Sequence, residues 1–228
     1  MLKTFYAIVA NALVASLTNT FVWFAVTFWV YLETRSVIAT SVMAGVFTAT
    51  IAITGLFLGA LVDRYPKKRM MLVSSTGSLL CYALAGVLFA LTPPEVFADV
   101  SSVQLWVFIV LILGGAIVGN LRGIALSTLV TILVPEPDRD RANGLVGTTN
   151  GVAFLVASII SGVIIGFLGM VWMLISAVVL TLLVIMHLAT LAIPDRVAVD
   201  PGQSGNNDTT PSEASIDTTI DIRGTIRT

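Results

Sequence analysis

Six uninterrupted apolar runs alternate with short polar gaps along the chain. They are Phe5–Leu32, Ala39–Val62, Met70–Leu91, Val103–Val134, Asn143–Leu168 and Met170–Ile193. Crossing a bilayer takes about 20 predominantly apolar residues, so each run is long enough to span. Pro66, Pro93, Pro94, Pro135, Pro137 and Pro194 all fall in or beside the gaps and none inside a run. An interior proline removes a helical hydrogen bond and clashes with the preceding turn, so this placement predicts helices. Spanning strands would be about ten residues long with alternating polarity, and that pattern is absent. The first run continues to Tyr31, well past the length of a signal-peptide core, and reads as a retained helix.

Composition narrows the class further. The 228 residues are 57% hydrophobic and 11% charged, with a mean hydropathy of +0.98. A soluble domain carries about 25% charged residues, so a water-facing globule is excluded. Net charge is −1 and the single cysteine is Cys81. That excludes a nucleic-acid binder and leaves no internal disulfide or cysteine metal cluster. The pattern contains no P-loop, no nucleophile with a base beside it, and no metal or cofactor motif. Ser74, Ser75 and Ser78 lack the glycine and histidine context of an intramembrane serine protease.

The charges that remain set an expected orientation. Asp63-Arg64-Tyr65-Pro66-Lys67-Lys68-Arg69 carries four cations, the fourth gap carries Arg139 and Arg141, Lys3 precedes the first run and Arg196 follows the last. Of the alternate gaps, the first has Arg35 as its only cation, the third has only the acids Glu95 and Asp99, and the fifth has no charge. By the positive-inside rule both chain ends are cytoplasmic, in a multi-pass protein of the plasma (inner) membrane. Trp29, Tyr31, Trp106 and Trp172 then fall at outer helix ends, where an aromatic belt is expected. From Pro194 the composition turns polar. The first 193 residues net +2, and the remainder, with six acids and three arginines, nets −3. Two units follow: a bundle over 1–193 and a polar cytoplasmic linker over 194–228, mobile by composition. Gly55-x-x-x-Gly59 and Gly162-x-x-x-Gly166 lie at matching places in two groups of three helices, which suggests a 3+3 repeat with close packing at both glycine pairs.

The stretch Gly59-Ala60-Leu61-Val62-Asp63-Arg64-Tyr65-Pro66-Lys67-Lys68 resembles the signature loop of the major facilitator superfamily. Gly59, Asp63, Arg64, Lys67 and Lys68 match it in place and spacing, and Pro66 stands where glycine is usual. Asp63 sits at a helix C-terminus, where the dipole already presents negative charge. It therefore needs compensation from Arg64, the lysines or another helix end. Glu136-Pro137-Asp138-Arg139-Asp140-Arg141-Ala142-Asn143-Gly144-Leu145 is similar to the drug and siderophore exporter branch, with Ile160-Ser161 where its antiporters often carry Gly-Pro.

The resemblance implies an all-α membrane protein whose six helices form half of a twelve-helix transporter with a 3+3 inverted repeat. It implies that Gly59, Asp63, Arg64, Lys67 and Lys68 form a gating loop. Helices one, two, four and five would line a central cavity, with three and six facing lipid. It also implies ion-coupled efflux of amphipathic compounds, with protons as the coupling ion, and a C-terminal six-helix half or a second copy as partner. The alternative is a half-size or truncated membrane protein that acts only as a homodimer or as a binding or assembly partner, without independent transport. Neither reading is enzymatic.

Ionisable residues inside a span default to functional hypotheses. Arg122 lies about 18 Å into the fourth run from its cytoplasmic end, at 1.5 Å per residue. No acid lies within any run, so its partner is a substrate anion, a backbone carbonyl, a polar side chain such as Asn150, or a carboxylate of another half. His187 reads as an interfacial histidine. Asn19, Arg122 and Asn150 are the cavity and substrate candidates.

Overall fold

The computed structural model describes residues 2–191, and among these every regular element is helical. The six runs become α1 (Leu2–Thr34), α2 (Val37–Arg64), α3 (Lys67–Leu91), α5 (Val103–Leu133), α6 (Arg139–Val163) and α7 (Met170–Thr190). All six spans, α6 with its flanking turns, are long and apolar enough to cross a membrane. The expected 193/194 boundary and the polar linker lie outside the described residues.

Three local features depart from the sequence expectation. A short α4 (Pro94–Ala98) fills the third gap, with Pro94 in its first turn, where a missing N–H costs nothing. Its Phe97 is buried among Trp29, Phe89 and Phe108, at ring separations of 5.1–5.6 Å. Trp29 is therefore part of this aromatic plug and not of a lipid-facing belt, whereas Tyr31 and Trp172 remain exposed. Second, α6 starts at Arg139, inside the expected gap, after a single 3₁₀ turn over Glu136–Asp138. Arg139 donates to Thr131 O at 3.1 Å and Val134 O at 3.3 Å, capping α5, while Asp140 suits the positive end of α6. Third, α6 ends in a π turn (Ile164–Leu168) closed by Gly169 at φ +81°, ψ −177°, a conformation open essentially to glycine alone.

The expected glycine packing is displaced. A Cβ at Gly55, Gly59, Gly162 or Gly166 would meet nothing within 4 Å, so neither pair supports a helix contact. The close approach lies instead between α3 and α5. There a Cβ on Gly77 would sit 2.9 Å from Val118, and one on Gly115 would sit 2.6 Å from the Tyr82 ring. Ser74 Oγ donates to Val118 O and Ser78 Oγ to Gly115 O, both at 2.7 Å. These hydroxyls give the spacing that small residues permit a specific register. The pairs α3–α5 and α1–α6 are the most extensive contacts in the bundle.

Helix α2 is the outlier. Only Ala39, Met43, Phe47 and Val62 of it are buried, and Ile53, Leu56 and Phe57 face outward. Its Thr48, Thr50 and Thr54 hydroxyls donate to carbonyls of α2 itself. These threonines therefore make no hydrogen bond to a neighbouring helix.

Candidate functional site

A cavity of about 300 Å³ opens inside the bundle, and its walls come from five helices, α1, α3, α5, α6 and α7. Its polar lining includes Ser16, Asn19, Ser75, Asn120, Arg122 and Asn150. Ala12, Ala15, Leu126, Val146 and Val184 supply apolar wall. Of the four helices expected around a central cavity, α1, α5 and α6 line this one. Helix α2 contributes nothing to the lining, whereas α3 and α7 do. The α3 serines bond across to α5, which holds α3 against the cavity wall.

Arg122 is the centre of this site. Only 5% of its surface is exposed. Nη1 donates to Ser75 Oγ at 2.9 Å, Nη2 donates to Asn11 Oδ1, and Nε is buried without a partner. Among the described residues no carboxylate pairs with it. Guanidinium is donor-only, so it fixes the Asn11 amide with Oδ1 toward Arg122. Asn11 Nδ2 then donates to Val184 O and to His187 Nδ1, both at 3.0 Å. That contact requires a lone pair on Nδ1, which puts the imidazole proton on Nε2. Four helices, α1, α3, α5 and α7, therefore meet through one chain of hydrogen bonds. The sequence did not single out Asn11 or Ser75 as its members. The only signal was that a buried arginine needs acceptors, and Asn11 lies 111 residues away.

The structure brings Asn19, Arg122 and Asn150 to the same cavity. Asn150 does not pair with Arg122. Its Oδ1 accepts from Ser16 Oγ at 3.1 Å, tying α6 to α1. Asn19 Oδ1 accepts from Tyr82 at 3.5 Å and sits over Gly119, where a Cβ would come within 2.9 Å of it.

The Asp63 loop lies apart from this cavity. Asp63 and Arg64 are exposed, and among the described residues Asp63 has no ion pair. The lysines do not compensate it. Lys67 is buried and donates to Val62 O at 2.6 Å, and Lys68 donates to Ala189 O at 3.1 Å and Leu191 O at 2.5 Å. Both ammonium groups thus cap C-terminal carbonyls, where the helix dipole favours a cation. Lys68 also fastens α3 to the end of α7. Gly59 lies one turn earlier on α2 with open space beside it.

A polar cavity with a buried cation thus lies among helices long and apolar enough to cross a membrane. The model of the Major Facilitator Superfamily matches residues 8–224, and the chain belongs to that family. The family is a transport class and not an enzymatic one, and the six apolar helices fit half of its fold. Comparisons with curated proteins and with solved structures gave no match.

Proposed function

We propose that this protein exports small amphipathic molecules by alternating access, driven by an ion gradient with protons as the coupling ion. The observation that carries the reading is the cavity on which Asn19, Arg122 and Asn150 converge. Its mix of amides, hydroxyls and aliphatic wall suits a ligand with a polar head and an apolar body. The outward direction is supported by the Arg141-Ala142-Asn143-Gly144-Leu145 segment, which is similar to exporters. Positive loops support cytoplasmic chain ends and placement in the plasma (inner) membrane.

In this reading a second six-helix half, in the same polypeptide or as a second copy, rocks against this bundle. Gly59, Asp63, Arg64, Lys67 and Lys68 form the gate. Lys67 and Lys68 brace the ends of α2 and α7. Asp63, exposed and without an ion pair among the described residues, is the group that meets a helix N-terminus of the other half, where a carboxylate is stabilised. The test is flux from proteoliposomes, using radiolabelled amphipathic acids, amides and amines. Wild type is expected to exceed empty vesicles and to respond to an imposed pH gradient. Asp63→Asn is expected to lose about tenfold, the order of one good charge interaction. Equal flux for both proteins rejects the gate, and no flux above empty vesicles rejects transport.

A further inference from the structure

We infer that the cavity selects organic anions, with the ligand's charged head on the Arg122 guanidinium. This rests on the reading of the cavity as the substrate site and adds the charge class of what enters it.

The charge around Arg122 is unbalanced. Arg122 is 95% buried by its 5% exposure, and its partners are a serine hydroxyl and an amide oxygen, both neutral. Burying an unpaired cation carries a penalty of several kcal/mol after relaxation. Two neutral acceptors offset only part of it. A guanidinium carries five N–H groups; one of them, on Nε, has no partner at all. Among the described residues, none that lines the cavity is acidic. The site thus holds one positive charge, no negative charge and spare donor capacity.

An anion would complete it. Arg presents its donors in a planar fork matched to carboxylate and phosphate oxygens. Ser16, Asn120 and Asn150 offer neutral hydroxyl and amide groups for the remaining oxygens, and Leu126, Val146 and Val184 offer apolar wall for the body of the ligand. An organic cation would meet Arg122 with no carboxylate to offset it. The hydrogen bonds that hold the guanidinium from α1 and α3 fix its plane, so the site is organised before the ligand arrives.

Three isosteric probes test the charge class directly: benzoate, benzamide and benzamidine, which are anionic, neutral and cationic. The readout is the thermal midpoint of the purified protein in detergent, since a ligand that binds the folded state raises it with concentration. Benzoate is expected to bind roughly tenfold or more tighter than benzamide, and benzamidine to bind most weakly. In Arg122→Gln the benzoate preference is expected to vanish. The inference is overturned if benzamide or benzamidine matches benzoate, if benzoate produces no shift, or if its preference survives in Arg122→Gln. The wild-type comparison decides even if that variant does not fold. Binding is read without flux, so the two readings fail separately. Benzoate selectivity without transport rejects only the transporter function, and transport without benzoate selectivity rejects only the anion site.

Discussion

Asn11→Leu is expected to destabilise the protein by about 3 kcal/mol, more than an ordinary buried asparagine would. Asn11 Oδ1 is one of two acceptors for the buried Arg122, and its Nδ2 serves Val184 O and His187 Nδ1. Leucine fills the volume but leaves Arg122 with Ser75 alone, beside an Nε that already has no partner. A charge stripped of its partner in a low-dielectric interior costs far more than the pair contributes. The double variant Asn11→Leu/Arg122→Met removes the charge as well. It is expected to recover most of the loss, because the two residues act as one unit. Thermal unfolding in detergent micelles measures Asn11→Leu, Arg122→Met and the double variant. Additive losses would show that Asn11 and Arg122 are independent.

Gly115→Leu is expected to abolish the folded bundle, and Gly115→Ala to cost about 2 kcal/mol. A Cβ at Gly115 lies 2.6 Å from Tyr82 Cε1 and 3.0 Å from Cys81 Cβ. Tyr82 is 1% exposed and lines the cavity, so its ring could yield only by moving into the cavity and away from Asn19. Otherwise the α3–α5 seam would have to open, breaking the Ser74 and Ser78 hydrogen bonds with it. Alanine has a helix propensity about 1 kcal/mol better than glycine, so a loss on Gly115→Ala must come from the clash. Gly55→Ala and Gly123→Ala are the controls, since nothing lies within 4 Å of either new methyl. Both are expected to be neutral or slightly stabilising. Equal behaviour of all these glycines in a thermal unfolding series would contradict the packing described.

These two predictions also mark the limit of what the sequence discloses. The spans were legible because one-dimensional hydrophobic runs and proline punctuation are the physics of crossing a bilayer. The Asp63 loop was legible because its charges are consecutive. Arg122 stood out as the one arginine within a span. Its partners did not, because Asn11, Ser75 and Arg122 lie on three helices whose rotation no run of aliphatic residues defines. The glycine pairs mislead for the same reason. Gly55 and Gly59 have the spacing of a packing motif but face open space, while Gly115 and Gly119, at the same spacing, make the contact. Spacing on one helix cannot show which face meets a neighbour. Likewise the polar count favoured no helix over another as cavity wall. Thr18 on α1 and Thr181 on α7 bond within their own helices and still line the cavity.

The central claim is that the Arg122 cavity opens to each side of the membrane in turn. Side-specific labelling of Asn150→Cys, in a Cys81→Ser background, tests it most directly, because Asn150 lines the cavity and is itself exposed. A membrane-impermeant thiol reagent is applied to one face of the membrane and then, separately, to the other. The account predicts labelling from both faces, with the balance between them shifted by Asp63→Asn. Labelling from one face only, in wild-type and Asp63→Asn backgrounds alike, would contradict it.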